Sequence, residues 1–230
     1  RHSRDLESMK NHRPQCYLNS DYEVMNTTPS SMRFDPILID GLKEIGNIGA
    51  AHASSALSKL VDRCVMVKVS EHVVCTTQQL PSVFGDPEQR IVAIFLEAHG
   101  VGKGGMLFIL TENIATELVD MILSQPHTDR ELNEVDRDAI CEIANICTSA
   151  YLSAVAKFAG ITMVPSPPGV AVDMLHAILQ QISVMAEEIT SELVIVRTQL
   201  FYDNSPHTGH LLYLPDPETI QLLERKFRAV

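Results

Sequence analysis

Two sets of three polar residues recur in this chain at one spacing: Asp40, Glu44 and Asn47, then Asp138, Glu142 and Asn145, each written D-x3-E-x2-N. Every member of the second set lies 98 residues after its counterpart. At about 100° per residue the three side chains fall within roughly 60° of one another on a helix, so each set makes one polar row. A carboxamide both donates and accepts hydrogen bonds, and carboxylates meet cations, so such a row can engage a partner from outside. A solvated helix face would use the same residue types. Against that reading, all three types persist at both places while nearby residues differ, Gly46 against Ala144 and His52 against Ala150.

The elements that must carry these rows are legible in the apolar spacing. From 35 to 61, Leu38, Leu42, Ile45, Gly49, Ala56 and Leu60 recur at three- and four-residue steps, which predicts one long helix with its stripe opposite the polar row. Gly46, Gly49, Ala50, Ala51 and Ala53 are poor helix formers, and their clustering predicts a second backbone packed close. Residues 133–159 repeat the pattern, with Ile140, Ile143, Cys147, Ala154 and Phe158 as the stripe. Alternation predicts strands at Val65, Val67 and Val69, at 91–96 and 106–110 as a hairpin, and at 193–201 and 210–214. Helices are expected at 113–123 and 217–227, and an extra one within 165–188, which lacks a clear counterpart in the first half. The expected fold is α+β: an internally duplicated pseudo-two-fold domain, its two long helices carrying the sites over a largely antiparallel sheet. Residues 1–34 mix both charges with Pro, Ser, Thr and Asn and show no apolar period, so they are expected to be a disordered extension. The folded domain is then 35–230, with repeat one at 35–125 and repeat two at 131–228.

Composition removes several classes of function. Lys+Arg 18 against Asp+Glu 29 gives a net charge of −11, which opposes phosphate backbones, so no nucleic-acid partner is expected. The apolar runs are too short for a membrane span of about 20 residues. Five cysteines (Cys16, Cys64, Cys75, Cys141, Cys147) form no CxxC pair and follow no secretory signal segment, so a reducing cytoplasm is expected. The glycine turn at 98–105 lacks the GxxxxGK[ST] spacing and leads into a strand, not a helix, which argues against a phosphate loop. His207 and His210 have no third ligand nearby in sequence, so no metal site is expected. Cys141 and Cys147 occupy or border an apolar stripe, where a thiol packs as a small hydrophobe.

The runs LKEIGNIGAAHASSALSKL and ICEIANICTSAYLSAVAKF, the later PSPPGVAVDMLHAIL, and GHLLYLPDPETIQLLE resemble the CheC family of CheC, CheX and FliY chemotaxis phosphatases over about residues 35–228. The family pattern is Asp or Ser, three residues, Glu, two residues, Asn, then 22 residues and Pro. Asp138, Glu142, Asn145 and Pro168 fit it in full; the first copy fits in Asp40, Glu44 and Asn47 but has Ser70 where proline stands, so the second copy fits better. The proline fixes its own φ, and Ser70 supplies no such restraint.

The resemblance implies a two-component signalling hydrolase that removes the aspartyl phosphate of the response regulator CheY. Asn47 and Asn145 would each orient the attacking water, much as a glutamine does in small GTPases. Glu44 and Glu142 would contact the partner, in this family through the regulator's active-site lysine. Asp40, Asp138 and Pro168 would support the motif. No cofactor is expected on this chain, with Mg2+ held by the carboxylates of CheY. CheD, a receptor-modifying deamidase, is a further expected partner, and the duplication makes a monomer sufficient. The alternative is a non-catalytic adaptor for CheD or phosphorylated CheY, which has no need of two asparagines in register. A flagellar switch component of the FliY kind would call for a further domain.

Overall fold

A computed structural model describes residues 35–126, 128, 130–187, 193–202 and 205–229. The expectation for residues 1–34 lies outside the described residues. Helix α1 (Pro36–Val61) starts where Asp35 accepts from the Ile37 N–H at 2.9 Å, with proline in its first turn. That N–H, and then the Arg228 guanidinium that also bonds it, hold the Asp35 carboxyl below its usual range. Then follow β1 (Val65–Cys75), a 3-10 turn (Thr77–Gln79), α2 (Leu80–Phe84), β2 (Arg90–Gly100), β3 (Gly104–Thr111) and α3 (Glu112–Ile122). The second half begins with α4 (Glu134–Ala159), β4 (Met163–Pro165), β5 (Gly169–Met174) and α5 (Leu175–Glu187). It ends with β6 (Leu193–Tyr202), β7 (Ser205–Pro215) and α6 (Pro217–Phe227).

Among the described residues seven strands form one sheet in the order β1-β6-β7-β3-β2-β4, with β5 also on β2, and these pairings are antiparallel. The order reads the same from either edge once equivalents are matched: β7 pairs with β3 at the centre, β6 and β2 flank them, and β1 and β4–β5 lie outside. Each half therefore lends its leading strand or strands to the other half, β1 to β6, and β4 and β5 to β2. Helices α1, α3, α4 and α6 cover one face over the larger core, which includes Leu38, Leu42, Ile140, Ile143, Phe108 and Tyr213. A smaller core of Leu80, Leu175, Ile178, Leu179 and Ile195 lies on the other face beneath α2 and α5. Helix α4 is long and apolar enough to cross a membrane by length and composition, yet more than half of that window is buried inside the fold.

The close approach expected from the small residues is present. A Cβ on Gly49 would stand 3.0 Å from the Tyr151 Cα, so the α1 and α4 backbones meet where a larger residue would be crowded. The α1 stripe differs from expectation in its second half: Ala56 is exposed and Leu60 is 45% exposed, while Leu57 and Val61 are buried. The buried residues follow four-residue rows (Leu42, Gly46, Ala50; Ile45, Gly49, Ala53, Leu57, Val61), and each such step turns about 400°. The contact line therefore winds around α1 as the helix crosses its neighbours.

Two other expectations need correcting. The strand at Val65–Val69 runs on to Cys75, and the extra helix within 165–188 begins only at Leu175, after β4 and β5. The segment also has a counterpart, because β4–β5–α5 occupies in the second half the place of β1, the 3-10 turn and α2 in the first. Val170 and Val172 alternate with exposed residues as in a half-covered strand, a short signal beside the longer helical period of Leu175, Ile178, Leu179 and Ile182.

Candidate functional site

Helix α4 is anchored at the end that leads into its polar row. Asn133 and Asp136 form a capping box, and Arg130 bonds both Asp136 and Asp120, the latter at 2.6 Å. Asp120 and Asp136 are each 1% exposed, so one guanidinium is shared between two buried carboxylates and ties the end of α3 to the start of α4. Downstream of this clamp, Asp138 and Glu142 are exposed and Asn145 is half-buried. Asn145 accepts at its Oδ1 from the Ser149 hydroxyl at 3.3 Å, one turn further on. An amide oxygen has two lone pairs, so it retains capacity for a second donor from outside.

On α1, Asp40, Glu44 and Asn47 are all exposed. Lys43 pairs with Asp40 at 2.9 Å, and Cys141 stands at the corresponding place beside Asp138. Residue 51, the counterpart of Ser149, is alanine, so Asn47 lacks that support. Beneath this row lies His72 of β1, whose Nε2 is buried with no hydrogen-bond partner among the described residues and would stand 3.1 Å from a Cβ on Gly46. Burial, and after it the nearby Lys43 charge, push the His72 pKa down to about 4, so the ring is neutral at pH 7. Its counterpart at the 98-residue offset is Val170, an aliphatic side chain packed against the larger core.

Pro168 lies between β4 and β5. Ser166 is tied to Glu97 by two bonds, its N–H donating at 2.8 Å and its Oγ accepting at 2.9 Å, and Gly169 is in register with Phe95. The proline thus interrupts the ladder where it has no N–H to offer. Ser70 is held as well, contrary to expectation. The register of β1 against β6 shifts between Val69 and Glu71, leaving Ser70 as the extra residue of a bulge, and its hydroxyl donates to the Arg197 carbonyl at 3.2 Å. A break in pairing is common to both halves, made by proline in one and by a bulge in the other.

Lys43, His72 and Ser149 were not singled out in the sequence. Ser149 stands at i+4 from Asn145 and Lys43 at i+3 from Asp40, so helical spacing alone could have found both. His72 reaches α1 only through the tertiary packing of β1, and local spacing carries no sign of it.

The other chemistry-bearing residues have structural surroundings. Val101 and Gly102 both donate to the Thr162 carbonyl, and Lys103 N–H donates to Thr219 Oγ1, so these N–H groups of the glycine turn are already used. His207 meets Glu117 at 3.0 Å, whereas His210, three residues on and so on the opposite face of β7, packs edge-on against Phe84. Cys147 is buried, which pushes its thiol up to about 12, and burial raises Cys141 too.

The molecule is therefore a pseudo-symmetric protein that displays one carboxylate-and-amide row on each of two long helices over a shared antiparallel sheet. Residues 135–172 match the model of the CheC-like family. The CheY-P phosphatase CheC of Bacillus subtilis (strain 168) is 28% identical over 190 residues, which cover 80% of this chain and 91% of that protein. Among solved structures, Thermotoga maritima FliY aligns with a TM-score of 0.73 at 18% identity, over 86% of this chain and 99% of that one. The FliM middle domain from H. pylori aligns at 0.62 and 13% identity, over 84% and 99%. The resemblance to CheC-like proteins read from the sequence holds in sequence and in fold.

Proposed function

We propose that this chain is a cytoplasmic chemotaxis phosphatase that hydrolyses the aspartyl phosphate of CheY, acting as a monomer with two sites. The observation that carries the reading is the pair Asn47 and Asn145, at one register on two equivalent helices, each one turn from an exposed glutamate. The similarity to a protein named CheY-P phosphatase CheC supports it.

In this reading the asparagine amide enters the regulator's site and holds a water in line with the phosphorus. The water oxygen bonds to phosphorus as the bond from phosphorus to the aspartyl oxygen breaks, releasing inorganic phosphate and the regulator's free carboxylate. An amide orients the water without setting a negative charge against the phosphoryl oxygens, as a carboxylate would. Glu44 or Glu142 pairs with a cation on the regulator and fixes how deeply the amide enters. Mg2+ belongs to the regulator's carboxylates, and the chemistry asked of this chain is orientation alone. CheD binding is part of the same proposal.

The test mixes the full chain with phosphorylated CheY and follows phosphate release, with and without CheD. Accelerated release that is lost in the Asn47→Ala, Asn145→Ala double variant supports the reading. Binding without release would assign the adaptor role instead.

A further inference from the structure

Large aliphatic side chains stand exposed beside the polar rows, and they do so at symmetry-related places. Ile37 is 47% exposed and its counterpart Val135 is 61% exposed. Ile48 is 49% exposed, and its counterpart Ile146 is half-buried. At about 100° per residue, Ile37, Glu44 and Ile48 fall within roughly 40° of one another on the outer side of α1, as do Val135, Glu142 and Ile146 on α4. Each glutamate thus has an aliphatic residue two turns before it and another one turn after it, in a strip about 16 Å long. A single exposed isoleucine needs no explanation. Two pairs kept at matching positions beside the same glutamate do, because Ile37, Ile48 and Val135 take no part in the larger core, and Ile146 packs against it with only part of its side chain.

Charge decides what covers the strip. Glu44, Asp138 and Glu142 lie beside the aliphatic residues, as does Asp40 with its partner Lys43, on a chain with a net charge of −11. A second copy would set carboxylates against carboxylates, and an anionic membrane surface would be repelled. A protein surface with a cation next to an apolar side chain is complementary to both features.

We propose that Ile48 and Ile146, with Ile37 and Val135 at the far ends of the strips, form aliphatic pads that pack on apolar side chains flanking the cation of the phosphorylated regulator. The proposal rests on the phosphatase reading. The pads set affinity and leave the chemical step alone, since they lie beside the amide and do not orient the water.

The experiment titrates full-length chain into CheY activated with beryllofluoride, and measures phosphate release from phosphorylated CheY in parallel. Ile48→Ser with Ile146→Ser raises Kd and KM about tenfold with kcat within about twofold of the parent. Ile48→Leu with Ile146→Leu restores both constants, and Leu60→Ser, an exposed aliphatic position outside the strip, changes neither. An unchanged Kd in the serine pair overturns the pads, as does equal weakening by Leu60→Ser or a loss confined to kcat. Self-association of the parent chain that disappears in the serine pair also overturns them, in favour of a second copy. If the parent binds activated CheY but releases no phosphate, the phosphatase reading fails while the Kd comparison still decides the pads.

Discussion

Asn47 and Asn145 hold equivalent places but meet different neighbours, and their difference can be measured. Ser149 supports the Asn145 amide, whereas Ala51 leaves Asn47 without such a bond. In an Asn47→Ala background, where only the second site works, Ser149→Ala should lower kcat about two- to fivefold with KM unchanged, the scale of one modest hydrogen bond that preorganises a group. A change in KM alone would assign Ser149 to binding. At the glutamates, Glu142→Lys should weaken binding of activated CheY far more than Glu142→Gln, because it sets like charges together; equal titration curves would remove the ion pair. The double Asn47→Ala, Asn145→Ala variant should lose phosphatase activity with only a small fall in melting temperature, since Asn47 is exposed and half-buried Asn145 gives up one side-chain bond, worth about 1 kcal/mol. The polar rows were legible because duplication supplied a comparison inside one chain. The unequal surroundings of the two amides were not, since Ser70 looks unrestrained until its bulge and its bond to Arg197 are seen.

The two long helices end alike in shape but not in residue. Asp62 at the end of α1 adopts a left-handed backbone with φ of 51°, and its counterpart at the end of α4 is Gly160, with φ of 66°. Aspartate there carries a Cβ penalty and a negative charge at the negative end of the helix dipole. Asp62→Gly should therefore raise stability by about 0.5–1 kcal/mol in a urea melt, and a loss would mean that Asp62 has a compensating role. The clamp ahead of α4 predicts the opposite: Arg130→Met leaves Asp120 and Asp136 buried without their cation and should cost about 3–5 kcal/mol. The helices were readable because each supplies several turns of apolar period. The β5 strand was not, because its six residues give barely two alternations before α5 begins. Nor could a wheel drawn with a fixed stripe anticipate that Leu57 and Val61 replace Ala56 and Leu60, since that shift comes from how α1 crosses its neighbours.

For the molecule as a whole, acid should act through two half-buried histidines. Burial first, then Lys43 for His72 and Arg197 for His210, push both pKa values down to about 4. The unfolded chain, with histidines near the ordinary 6.5, binds more protons between those values, so stability falls as pH drops from about 6.5 to 4. Urea midpoints across that window should fall, and His72→Gln with His210→Gln should flatten the fall; an equally steep fall in the variant would place its cause in other groups. The pseudo-two-fold plan was legible from one constant offset, but the trade of outer strands between halves was not, because pairing partners leave no periodic mark. That trade bears on how the chain is made. On the ribosome, β1 emerges with its helix yet has no strand to lie against until Leu193–Tyr202 has been synthesised, which at about 5–20 residues per second takes on the order of ten seconds. Through that interval an eleven-residue strand stands with open edges. The nascent first half is thus a stage at which this chain is exposed to edge-to-edge aggregation, and that exposure follows from the order of its sheet.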